Sequence, residues 1–215
     1  MLHTATSNIT GFEDAALQIG IVKGSLLHHV RADLLSAAQD AGGLTPDIAR
    51  ETAAALRALS KDADVVLLTC STLGPSIEEI GTTDVPILRV DAALAAKAVS
   101  RGGLVVALCA LETTITPTTR LFTEAAAKTG SRIEIRLVPG SWDLFTGGDR
   151  AGYLAAIAKS ADAAYADGAS IVALAQASMA GAEDLVSKGP RPLSSPTTGL
   201  AAAVASANTS ARRAV

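Results

Sequence analysis

Thr69-Cys70-Ser71-Thr72 places one thiol among three hydroxyls, directly after the apolar run Val65-Val66-Leu67-Leu68. The thiolate is the reactive form of cysteine, and converging backbone N–H groups at a strand-to-helix passage stabilise it. Gly74-Pro75 followed by Ser76-Ile77-Glu78-Glu79 reads as the first turn of such a helix. The chemistry this suggests is acid/base or nucleophilic work by Cys70 at a lowered pKa. Thr69, Ser71 and Thr72 would hold carboxylate or enediolate oxygens. The plainer expectation is a packed cysteine beside ordinary capping hydroxyls.

The elements that must position this turn follow from hydrophobic period and punctuation. The run before Cys70 is short and β-branched, as a strand buried on both faces would be. Further strands are expected at residues 26–30, 86–90, Leu104–Cys109, 132–138 and Ile171–Leu174, with a clipped one at 1–4. That clipped strand leaves open a start upstream of Met1. Helices are expected at 12–19, from Thr45-Pro46-Asp47 to about 60, from Pro75, at 92–100 behind Asp91, at 117–128, from Gly147-Gly148-Asp149 to about 167, at 182–188 and from Thr197. Proline at a first helical position after a threonine cap is a strong start signal. Trp142 and Phe145 fall in a loop that either walls a pocket or covers a core. Alternating strands and helices imply an α/β fold with parallel sheets.

Shifting the chain by 106 residues lays its second half on its first. Cys70 falls on Gln176, Pro86 on Pro192, Val65-Val66 on Ile171-Val172, and Ser7-Asn8 on Thr113-Thr114. A near-constant offset over the whole length is the mark of an internal duplication. The expected architecture is two similar lobes of parallel sheet flanked by helices and related by a pseudo-two-fold axis. Residues 1–95 with 197–215 form the first and residues 96–196 the second. Ligands of open parallel sheets bind beyond the carboxyl ends of the strands, which suggests a cleft between the lobes. Its walls are expected from Cys70 and its neighbours, Gln176-Ala177-Ser178, Thr6-Ser7-Asn8, Thr113, Thr114 and Ser195. Rich in hydroxyls and amides but poor in charge, such a site suits a small carboxylate. His3 and Cys109 lie at strand ends near it, expected as a satisfied or exposed histidine and a packed cysteine; His28 and His29 point to opposite faces of a strand.

The duplicated halves, the Thr-Cys-Ser-Thr turn and the continuation Val85-Pro86-Ile87-Leu88-Arg89-Val90-Asp91-Ala92-Ala93-Leu94 resemble the Asp/Glu/hydantoin racemase superfamily over nearly the whole chain. The resemblance implies two lobes with the active site between them, a small carboxylate substrate, and neither metal nor organic cofactor. In the racemases of that superfamily a cysteine from each lobe flanks the substrate's α-carbon. One removes the proton and the other returns it on the opposite face. Cys70 matches the first; the place of the second is Gln176. The family's Ala-Thr-x-x-Thr-x-x-Ser turn reads Cys109-Ala110-Leu111-Glu112-Thr113-Thr114-Ile115-Thr116 here. It keeps Thr113, replaces the serine by Thr116, and has Ala110 where the first threonine stands.

Two-base racemisation needs two groups that titrate near neutrality, and glutamine does not titrate. Three chemistries of a single thiol remain. Cys70 can protonate an enediolate after decarboxylation or in a tautomerisation. It can add to an activated double bond or carbonyl, with Gln176 as an orienting donor, or form an adduct that water hydrolyses. The expectation is thus a cofactor-independent isomerase, racemase-like enzyme or decarboxylase with Cys70 and Gln176 as catalytic residues. The alternative is a catalytically degenerate protein that binds a small carboxylate.

Composition sets the outer limits. The 215 residues are 49% hydrophobic but only 3% aromatic, an alanine-rich α/β profile. A net charge of −3 with scattered Lys and Arg argues against nucleic acid. No segment reaches the roughly 18 apolar residues of a membrane span, and the N-terminus lacks a signal-peptide pattern. Two cysteines without an export signal suggest reduced thiols in the cytoplasm. The three histidines form no metal-ligand spacing and there is no Gly-rich phosphate loop. A homodimer is the default assembly.

Overall fold

The computed structural model describes residues 1–213. Its short apolar runs pair into two four-stranded parallel sheets, one in each of two compact units. The first unit is Met1–Ala93 joined by the stretch from Pro196 onward, and the second is Leu94–Ser195.

The first sheet runs in the order β2-β1-β3-β4, with β1 Leu2–His3, β2 His29–Val30, β3 Val66–Leu68 and β4 Ile87–Arg89. Helices α1 (Asn8–Gln18), α2 (Ala32–Asp40) and α3 (Pro46–Leu59) connect and cover it, and α4 (Val90–Val99) follows β4. Val66, Leu67 and Leu68 are all buried, as a central strand of a parallel sheet requires. Val66 and Leu68 pack with Leu2, Leu34, Ile48, Leu56 and Leu73 into one core. The start of α3 is set as the sequence reads: Thr45 accepts from Ile48 N at 3.4 Å, with Pro46 at the first position.

The second sheet repeats the plan as β6-β5-β7-β8, with β5 Leu104–Cys109, β6 Arg132–Leu137, β7 Ile171–Leu174 and β8 Leu193–Ser194. Its helices are α5 (Ile115–Ala126), α6 (Ser141–Thr146) and α7 (Arg150–Ala166), and α8 (Ser195–Arg213) follows β8. Asp149 caps α7 by accepting from Gly152 N at 2.9 Å.

Identical strand order in both sheets bears out the duplication, and the registers refine it. Leu2 pairs Leu68 while Leu108 pairs Leu174, so the two central strands keep the offset of 106 (108 − 2 and 174 − 68). Leu2 faces His29 and Leu108 faces Arg136, an offset of 107 (136 − 29). Leu68 faces Arg89 and Leu174 faces Ser194, an offset of 105 (194 − 89). The outer strands have slipped by one residue each way, and the crossovers leading to them absorb the slip.

Other expectations change. The strand expected at 26–30 shrinks to His29–Val30, and the unforeseen α2 follows it, burying Leu34, Leu35 and Ala38. The helix expected from Pro75 is a six-residue 3-10 segment, Gly74–Glu79. The one expected at 182–188 is a 3-10 segment at Ala177–Leu185. Trp142 and Phe145 sit on α6 rather than in a loop. Their rings stack at 4.9 Å and lie against the core around Tyr153 and Ile157, so they cover the second unit's core. Asp91 lies inside the first turn of α4 and pairs with Arg89.

Candidate functional site

In the first unit the carboxyl ends of β1 and β3 carry the groups of interest side by side. Val66–Leu68 ends with its apolar side chains spent in the core, and the chain then turns through Thr69, Cys70, Ser71 and Thr72. Thr69, Ser71 and Thr72 are buried and Cys70 is half-buried against the core around Leu68 and Leu73. The Thr69 N–H donates to Leu2 O at 3.1 Å, which ties this turn to the end of β1. The Thr4 hydroxyl from that end bonds the Cys70 thiol, and the backbone amides of Leu73 and Thr72 also reach it.

These donors favour the thiolate, yet burial outweighs them and holds the Cys70 thiol above its ordinary range, with Asp91 adding a small push the same way. The expected lowering is therefore corrected. Only a short 3-10 segment follows Gly74, so few aligned peptide dipoles support a thiolate, while the surroundings are apolar.

Beneath the turn lies a buried ion pair absent from the sequence reading. Arg89 Nε and Nη2 each donate to a different oxygen of Asp91 at 2.7 Å, and the two side chains are 9% and 4% exposed. The guanidinium lies over Gly74, where an added Cβ would collide with its Nη2 and Cζ. Gly74 lies outside the left-handed region, so the close approach is what requires glycine here. Gly74→Ala is accordingly expected to lower stability by about 1–3 kcal/mol through displacement of Arg89. A urea melt checks this, with Gly11→Ala as the control, a site in open space at ordinary φ.

Thr6 and Ser7 form an exposed turn before α1; Ser7 stands at its N-cap without a side-chain cap bond. Asn8 is half-buried, and its Oδ1 is buried without a hydrogen-bond partner. The turn belongs to the same strand end as Thr4.

In the second unit the position matching Cys70 is Gln176, at the end of β7. It is buried, and its Oε1 accepts from Ala110 N at 2.5 Å and Leu111 N at 3.2 Å. Both units thus tie the loop after the first strand to the loop after the third. One uses a hydroxyl–thiol bond from Thr4 to Cys70, the other a side-chain amide on two peptide N–H groups. Ala177 and Ser178 are buried beside Gln176, and the Ser178 hydroxyl bonds Tyr153 Oη at 2.8 Å. Tyr153 is fully buried and its phenol is held above its ordinary pKa by that burial. Thr114 is buried and donates to Leu111 O at 2.5 Å, while Thr113 is half-buried. Cys109 is fully buried, burial raises its pKa, and hydroxyls of Thr114 and Thr118 approach its thiol. Ser195 is buried at the start of α8.

The residues named from the sequence therefore fall into two groups. Thr69, Cys70, Ser71 and Thr72 share the first unit's strand ends with the turn of Thr6, Ser7 and Asn8. Thr113, Thr114, Gln176, Ala177 and Ser178 share the second's. Sequence reading missed Thr4 on the thiol, the Arg89–Asp91 pair and Tyr153 behind Ser178. An arginine and an aspartate two apart, at the end of a strand, was the signal for the pair. Among the described residues, no group of three or more His, Cys, Asp or Glu could hold a metal ion. No helix among them is long and apolar enough to cross a membrane.

No family model matches the sequence, and no curated protein matches it. Solved structures do match in fold. An allantoin racemase from Pseudomonas fluorescens superposes with a TM-score of 0.64 at 17% identity, covering 100% of this chain and 90% of that one. A glutamate racemase from Bacillus anthracis gives 0.66 at 12% identity, covering 95% and 79%. A glutamate racemase from Francisella tularensis in complex with D-glutamate gives 0.54 at 11% identity, covering 97% and 81%. The two-sheet α/β fold is shared with these racemase structures.

Proposed function

We propose that this chain, built on the fold of the Asp/Glu/hydantoin racemases, is a cofactor-independent enzyme of isomerase or decarboxylase type acting on a small carboxylate, with Cys70 as its single proton-transfer group. The observation that carries this reading is the thiol itself. It stands half-buried at the carboxyl end of a central strand, met by the Thr4 hydroxyl and the amides of Thr72 and Leu73. A thiol held above its ordinary pKa starts protonated at neutral pH, so it begins as an acid rather than as a base or nucleophile. Protonation of an enediolate on one face, after loss of carbon dioxide or in a tautomerisation, is the step that suits it. The Ser71 and Thr72 hydroxyls and nearby peptide N–H groups are the donors for the enediolate oxygens.

Gln176 supports the single-thiol reading. It does not titrate, and its carbonyl is already engaged by Ala110 and Leu111. Its remaining amide N–H groups fit an orienting donor, and a second base is missing from its position. Two-base racemisation is therefore not part of the proposal.

The test is solvent-deuterium incorporation with small malonates, maleate, 2-hydroxy acids, amino acids and hydantoins. Wild-type protein is expected to deliver deuterium to one face of one substrate class. Cys70→Ser is expected to cut that rate by about 10²–10⁴-fold, the usual worth of a positioned acid or base. Binding of a small acid without any turnover or exchange, unchanged in Cys70→Ser, would leave a carboxylate-binding protein instead.

A further inference from the structure

Behind the Cys70 turn runs a line of polar side chains that the proposed reaction does not use. Thr69 Oγ1 lies 3.0 Å from His3 Nδ1, His3 Nε2 lies 2.9 Å from His28 Nδ1, and His28 Nε2 lies 2.9 Å from Glu13 Oε1. His3 is fully buried, with Phe12 edge-on to its ring at 5.2 Å. The His28 side chain is 13% exposed and that of Glu13 34%, so the line leads from the core to solvent. The two imidazole planes differ by 26°, which keeps their N···N bond close to both rings. Each imidazole nitrogen in the line has one partner.

The direction of these bonds follows from counting protons. With both histidines neutral, Glu13 accepts from His28 Nε2–H, and His28 Nδ1 accepts from His3 Nε2–H. His3 Nδ1 then accepts the Thr69 hydroxyl proton. Every bond is made and every arrow points outward. Adding one proton from solvent to His28 makes both of its nitrogens donors. His3 must then accept at Nε2 and carry its own proton on Nδ1, which donates to Thr69 Oγ1. The Thr69 hydroxyl needs a new acceptor, and Leu2 O stands 3.1 Å away. That carbonyl already accepts from Thr69 N, so it is satisfied in either arrangement. Again every bond is made, and the two buried links now point inward. One proton has been taken up, and none is left without a place.

We propose that Thr69, His3, His28 and Glu13 form a two-state hydrogen-bond wire, in which protonation of His28 near the surface flips the tautomer of buried His3 and turns the Thr69 hydroxyl from His3 to Leu2 O. The charged groups facing His28 and its neighbour are the Glu13 carboxylate from α1 and the N-terminal ammonium of Met1, which donates to Leu27 O at 2.6 Å. Burial holds His3 itself neutral, so the extra charge stays on His28 beside Glu13. The wire joins the ends of β1 and β3, and its His3 and Thr69 are followed directly by Thr4 and Cys70. His3 and His28 are thus positioning residues for the thiol turn, whatever reaction that turn performs.

Long-range proton–nitrogen NMR correlation on protein labelled with nitrogen-15 histidine tests this directly. Above the His28 midpoint, His3 is expected to carry its proton on Nε2, and below it on Nδ1, with both rings changing at one shared pH. Glu13→Gln removes the carboxylate that His28 Nε2 meets at 2.9 Å. It should shift both rings' transitions together. A His3 ring that keeps one tautomer through the His28 titration would overturn the proposal, as would two separate midpoints. A midpoint unmoved by Glu13→Gln would do the same.

Discussion

Asp91→Ala is expected to destabilise the protein by about 3–5 kcal/mol, because it leaves a buried guanidinium without its counter-ion. Arg89 and Asp91 form a two-pronged pair at 2.7 Å with both side chains nearly sealed from solvent. Taking two charges out of water costs about what their attraction returns, so the pair as a whole is worth little net stability. The double variant Arg89→Met, Asp91→Leu should for that reason recover most of the loss. Urea unfolding midpoints of the wild type and the two variants read this out. A loss below about 1 kcal/mol in Asp91→Ala would mean that Arg89 swings out to solvent. Its position over Gly74, hemmed in by the thiol turn, argues that it does not.

Acid is expected to weaken the fold well before most carboxylates titrate, and His3 is the cause. Burial, the nearby His28 and the N-terminal ammonium push its pKa down to about 3, from 6.5 in an unfolded chain. Between those values the unfolded state binds a proton that the folded state refuses. The His3 contribution is therefore fully present above pH 6.5 and falls away as the pH drops toward 3. The slope is about 1.4 kcal/mol per pH unit, roughly 5 kcal/mol over the whole window. Denaturant melts at pH 7, 5.5 and 4 should show this loss in the wild type. His3→Gln, which keeps hydrogen-bonding groups but cannot titrate, should show a shallower dependence. Parallel pH dependences in the two proteins would exonerate His3.

The central strands and the repeat were legible because their signals are dense. Leu104–Cys109 and Ile171–Leu174 are unbroken apolar runs, and both form the strands read for them. Thr45-Pro46 marks a helix start that physical chemistry allows few ways to misread. The edges were less so. His29–Val30 is an exposed two-residue strand without apolar alternation, and α2 begins at Ala32 behind Arg31, whose side chain makes no cap bond, so nothing local announces either. At the candidate site, Cys70 and its hydroxyl neighbours were visible as a cluster of types. The direction of the thiol's pKa was not, since it depends on how deeply the turn is set among residues far off in sequence. The same holds for Gln176, whose partners Ala110 and Leu111 lie more than sixty residues away. His3 looked like a stray histidine, and only the pairing of β1 with β2 and β3 brings His28 and Thr69 to it.

The split of the chain between its two units bears on the order of assembly. Residues Leu94–Ser195 form one unbroken stretch, whereas the first unit needs both Met1–Ala93 and the segment from Pro196 onward. The second unit is thus complete without α8, whereas the first is closed only when α8 returns to it. Domains fold as units, so a chain cut after Ser195 keeps every residue of the second and loses a whole helix of the first. Such a truncated chain should accordingly protect the amides of β5 and β7 from exchange better than those of β1 and β3.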